Sequence, residues 1–107
     1  MDEALLERLR AQLGELDGVA EGPMVGGAGF KLRGNLMCGV LGEDLLVRVG
    51  RKDFDRVVAE PGARPMAMGG RSSRSWILVA GTVVSGQAEL ASWVDRAIAF
   101  ASTLPAR

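Results

Sequence analysis

The run Met24-Val25-Gly26-Gly27-Ala28-Gly29, with Cys38 beyond it, is where chemistry would first be sought in this chain. A glycine-rich loop holds phosphate when it follows a buried strand and opens a helix, whose N-terminal amides then face the anion. Here the preceding Glu21-Gly22-Pro23-Met24-Val25 is too short and broken for that strand. The following Phe30-Lys31-Leu32-Arg33-Gly34-Asn35 alternates into a hairpin instead of a helix. The Walker lysine–hydroxyl pair is absent, and an S-adenosylmethionine loop would need the same strand–loop–helix context. The glycines therefore read as a bend or a close backbone approach within a strand.

A reactive thiolate wants a helix N-terminus, a histidine or a nearby cation. Cys38 instead alternates with Leu36 and Val40, the pattern of a small core residue. The chain contains no histidine, which removes Ser-His-Asp and Cys-His mechanisms and the usual zinc sites. Ser72, Ser73 and Ser75 with Lys52 contain the ingredients of a Ser-Lys pair, but no spacing supports one. In the middle of the chain carboxylates pair as Glu43-Asp44, in a turn, and Asp53/Asp55, near a helix start where acids favour the macrodipole. The expectation is a non-enzymatic chain with no catalytic residues, no cofactor and no metal.

Binding is the other chemistry on offer. Thirteen basic and thirteen acidic residues cancel overall, yet residues 31–74 carry nine basic against five acidic ones, and residues 1–21 are acidic. Such asymmetry attracts an anionic partner, or else the two segments neutralise each other in the fold. Lys31 and Arg33 share a strand face, Arg48 and Arg51 follow on a later strand and its exit, and Arg71 and Arg74 flank the approach to Trp76. These six are the candidate partner-binding residues. Nucleic-acid readers built on sheets add exposed aromatics for stacking, whereas Phe30, Phe54, Phe100, Trp76 and Trp93 all occupy apolar periodic positions.

The elements that must position these residues follow from periodicity. Residues 2–17 predict a helix with Asp2 as N-cap, a stripe of Leu6, Leu9, Leu13 and Leu16, and Gly18 at its end. Phe30–Arg33, Leu36–Leu41 and Leu45–Val49 predict a three-strand meander, turning at Gly34-Asn35 and Gly42-Glu43-Asp44. In its second strand Leu36, Cys38 and Val40 share one face, and Met37, Gly39 and Leu41 the other. Residues 51–59 predict a helix closed by Pro61-Gly62. Short strands are expected at 66–68 and 76–79 around a Gly69-Gly70 turn, then a helix over 87–104. The outcome is one α+β domain over 1–107, two-layered, with an antiparallel sheet packed against helices.

With one cysteine, no apolar run near the ~20 residues of a membrane-spanning helix and an acidic start unlike a secretory signal, the expected location is cytoplasmic, off the membrane.

Several pieces in order resemble the N-terminal domain of the TfoX/Sxy competence regulators: Met24-Val25-Gly26-Gly27, Gly34-Asn35-Leu36-Met37-Cys38-Gly39-Val40, Leu46-Val47-Arg48-Val49-Gly50, Pro61-Gly62-Ala63-Arg64-Pro65-Met66, Trp76, and Leu90 through Trp93-Val94 to Phe100-Ala101. Phenylalanine often stands where this chain has Val25. The resemblance implies an α-β(3)-α-β(2)-α fold, matching the order read from periodicity. It also implies a bacterial regulatory role, with transcription-related protein partners such as the cyclic-AMP receptor protein, and it offers no catalytic residues. TfoX-type regulators carry a further C-terminal helical domain, and this chain is expected to be the N-terminal module standing alone. The function expected is thus a regulatory or protein-interaction module; the alternative is a nucleic-acid-binding accessory factor using the basic residues. The leucine stripe and the meander edge also offer surfaces for a homodimer.

Overall fold

Asp2 starts the first helix as expected: its Oδ1 accepts the Leu5 amide at 3.0 Å, so α1 runs Glu3–Leu13 and buries Leu5, Leu6, Leu9 and Leu13. In this computed structural model, which describes residues 1–107 with the side chain at position 68 excepted, α1 stops short of the expected residue 17. Gly14, a poor helix former, caps it, and Leu16 lies outside the stripe at 39% exposure.

The meander has four strands, not three. Before the expected ones, β1 (Val19–Met24) pairs along its whole length with β2 (Gly27–Leu32), from Val19↔Leu32 to Met24↔Gly27. Gly22 and Pro23 hid this strand, because proline is tolerated only where one side of the strand lacks a neighbour, and β1 is a sheet edge. The next turn falls one residue earlier than predicted. Arg33 (φ 48°) and Gly34 (φ 85°) form its centre, and Leu32 pairs with Asn35, the two-positive-φ geometry that suits strand twist.

β3 (Asn35–Leu41) and β4 (Asp44–Arg48) follow. A bulge in β3 changes the faces read from alternation. Phe30 pairs with Cys38 but Lys31 with Leu36, leaving Met37 as the extra residue. Met37 is fully buried with Cys38 and Val40, and Leu36 is turned to the opposite face. After α2 (Phe54–Val58), β5 (Ala63–Met68) and β6 (Arg71–Val79) form a hairpin about Gly69-Gly70, longer than expected on both arms. Between Pro65↔Ile77 and Ala67↔Ser72, β6 bulges, and the Ser73 hydroxyl accepts the Ser75 and Trp76 amides at 3.0 and 2.9 Å. α3 (Gln87–Ala101) ends before Leu104, which lies in a closing turn.

The sheet is antiparallel throughout, in the order β1-β2-β3-β4-β6-β5. α1 packs on β3, α3 on β3 and β4, and α2 on β5 and β6. One hydrophobic cluster joins the helices to Phe30, Leu32, Cys38, Val40, Leu45, Val47, Ile77 and Val79. Leu46 is buried yet outside that cluster, because it pairs with Gly39 and Leu78 on the opposite face. The fold is therefore α+β in two layers, with no helix over the Leu46 face. Among the described residues no helix is long and apolar enough to cross a membrane.

Candidate functional site

The helix-free face is built from alternate residues of strands whose other residues fill the core. Leu36 and Leu41 of β3, Leu46 of β4 and Trp76 of β6 point to it, with Met24 at the end of β1 and Met66 at the β5 irregularity. Together they line an apolar groove of about 550 Å³ that opens to solvent. Val25, in the β1–β2 turn, forms part of its wall and is 99% exposed.

The glycine run shapes this groove. Gly29 and Gly39 pair across β2 and β3, and the Met24 side chain lies over both. A Cβ on Gly29 would stand 2.8 Å from the Met24 sulfur and 2.7 Å from Leu36 Cδ1; one on Gly39 would stand 2.9 Å from Met24 Cε and 2.4 Å from the Ala28 carbonyl oxygen. Close approach is thus why glycine stands at 29 and 39. Instead of a phosphate cradle, the run provides a bare strip of sheet that a methionine covers.

The six basic candidates do not converge. Lys31, exposed, stands on the groove face opposite Leu36, and Arg71, also exposed, forms part of the groove rim. Arg33 lies in the β2–β3 turn with its guanidinium 3.4 Å from the Ser102 carbonyl of α3's end. Arg48 is half-buried, with its guanidinium 5.2 Å from the Trp76 ring centre and 5.5 Å from that of Phe100, and it donates to the Leu36 carbonyl at 3.2 Å. Arg51 is exposed beyond β4. Arg74 is carried by the β6 bulge to α2, where it donates to both Asp55 oxygens at 2.9 and 3.1 Å above the Phe54 ring.

Two of the charges elsewhere around the sheet are matched by carboxylates. Arg64 pairs with Asp44 at 2.6 Å, and Arg10 holds Glu21 at 2.7 Å and also meets Glu7. The Arg10 hydrogen bond draws the Glu21 carboxyl below the ordinary range. Lys31 and Arg71 face no carboxylate within ion-pair distance among the described residues. A second cavity of about 390 Å³ between α2 and α3 contains Arg56 and Arg96, but these already face Asp53 at 3.3 Å and Glu60 at 2.7 Å.

Cys38 is fully buried, and burial pushes its thiol pKa up to about 12. Among the described residues no group of histidine, cysteine, aspartate and glutamate side chains is placed to hold a metal.

Reading the charges missed the apolar members of the groove. Their signal was present: Leu36 to Leu41 and Leu45 to Val47 are apolar on both alternating faces, the pattern of strands covered twice, while helices cover only one side.

Comparison with curated proteins and with solved structures gives no match. The TfoX N-terminal domain family matches residues 11–101, from the last turn of α1 through all six strands to the end of α3, and the chain belongs to that family.

Proposed function

We propose that this chain is a non-enzymatic regulatory module that works by docking another protein on the helix-free face of its sheet, in the bacterial cytoplasm and in a transcription-related setting as for TfoX-type regulators. One observation carries the reading: a strand layer apolar on both faces is covered on only one, leaving a groove walled by the fully exposed Val25. Family membership supports a regulatory or interaction role in general.

Photo-crosslinking tests this directly. A photoreactive amino acid at Val25 should capture one discrete protein in cells producing the chain, and the same probe at Asp95, exposed on α3, should not. Leu41→Asp should abolish the Val25 product while leaving the thermal midpoint within a few degrees. Equal capture from both positions, or measurable turnover of a small molecule, would overturn the proposal.

Lys31, Arg33, Arg51 and Arg71 give the nucleic-acid reading its support, but the groove face presents a single aromatic, Trp76, where stacking platforms use several. Anisotropy of labelled duplex DNA, single-stranded DNA and RNA separates the two. Affinity that falls steeply with salt and again in Lys31→Glu/Arg71→Glu would favour nucleic acid.

A further inference from the structure

We infer that the groove takes an acidic amphipathic helix of a partner protein, its apolar side chains on Leu36, Leu41 and Leu46 and its carboxylates at Lys31 and Arg71. The inference rests on the docking reading above and names the occupant.

The edges argue against strand addition. β1 and β5 are the two sheet edges, and each contains a proline, Pro23 and Pro65, that cannot donate to an incoming strand. The face argues for a helix. Helices bind by laying side chains spaced i, i+3/i+4 and i+7 into an apolar groove, and this floor is aliphatic with a methionine on either side, Met24 and Met66, which adapt to an incoming surface.

Charge selects the kind of helix. Arg64–Asp44 and Arg10–Glu21 are matched within the chain, whereas Lys31 and Arg71 are cations without a carboxylate among the described residues. An acidic partner completes them. A second copy docked face to face would set this cationic surface against itself. A small molecule fits poorly as well, since ligand sites enclose most of their ligand and this groove has an outer wall that is itself bathed in solvent.

The test is a display selection from a random library of helix-forming peptides of about five turns, performed on the full chain with counter-selection against Leu41→Asp. Enriched peptides should carry apolar residues at i, i+3/i+4 and i+7 with a net negative charge, and should shift the amide resonances of Leu36, Leu41, Leu46 and Trp76. Their affinity should weaken about tenfold or more in Lys31→Glu/Arg71→Glu, whereas Arg71→Lys, which keeps both positive charges, should retain most of the wild-type affinity. Both charge-reversal sites are exposed, so circular dichroism and thermal midpoint should match wild type.

Neutral or basic peptides enriched on the same face would overturn the acidic helix and leave the docking reading standing. Peptides that bind extended along β1 or β5 would overturn the helical occupant. A concentration-dependent dimer through this face, seen by sedimentation, would replace the partner with a second copy. If no peptide enriches and no resonance of this face responds, both readings fall.

Discussion

At Cys38 the thiol is fully enclosed, and that enclosure both removes its reactivity and ties it to stability. A thiol reagent should leave Cys38 unmodified in the native protein and label it fully in denaturant, as mass spectrometry would read; rapid native labelling would reopen the question of a nucleophile. The sign of its pH dependence follows from linkage. The native pKa, about 12, lies above the reference value of 9.0, so the native state retains the proton longer. Its contribution is complete below pH 9 and diminishes as pH rises from 9 towards 12. Urea midpoints should therefore fall across that window, and Cys38→Ala, though less stable at neutral pH, should fall less steeply. The core role of Cys38 was legible from its alternation with Val40. The roles of Arg48 and Arg74 were not, because the aromatic rings and the carboxylate they face come from remote segments.

Among the elements, β2 and β3 show how a pair of glycines decides the character of a surface. Gly39→Ala puts a methyl group within 2.4 Å of the Ala28 carbonyl oxygen and against Met24, and should cost about 1–3 kcal/mol in urea unfolding. Gly22→Ala in neighbouring β1 meets nothing within 4 Å and should change stability by less than about 0.5 kcal/mol. A smaller loss at 39 than at 22 would contradict this account of the glycine strip. Helices and most strands were legible from spacing alone, since Leu5 to Leu13 and Leu90 to Ala101 bury the stripes that periodicity marks. The bulge at Met37 was not. One extra residue reverses which of Leu36 and Met37 enters the core, and the partner strand that fixes this is invisible in a local pattern.

For the molecule as a whole, three helices on one side of six strands leave an uncovered apolar face between two proline-bearing edges. Replacing Pro23 and Pro65 together with valine should restore donors along both edges and increase assembly through them, detected as faster thioflavin-positive aggregation than wild type on mild heating. Unchanged kinetics would mean that the prolines do not guard the edges. The two-layer class was legible from element order, but the uncovered side was not, because the sequence shows that β3 and β4 are apolar on both faces without showing how many layers there are to cover them.

The chain also ties down both of its ends on one strand. The Asp2 amide donates to the Gly42 carbonyl just past the end of β3, at 2.8 Å. At the other end of β3, Asn35 Nδ2 donates to the Pro105 carbonyl and the Arg107 amide to that of Arg33, both at 2.9 Å. A pull applied between residues 2 and 107 would therefore meet these few bonds first, before the ladders that join β3 to β2 on one side and β4 on the other. The terminal segments would peel from β3 at low load, and the centre of the sheet would feel the tension only afterwards.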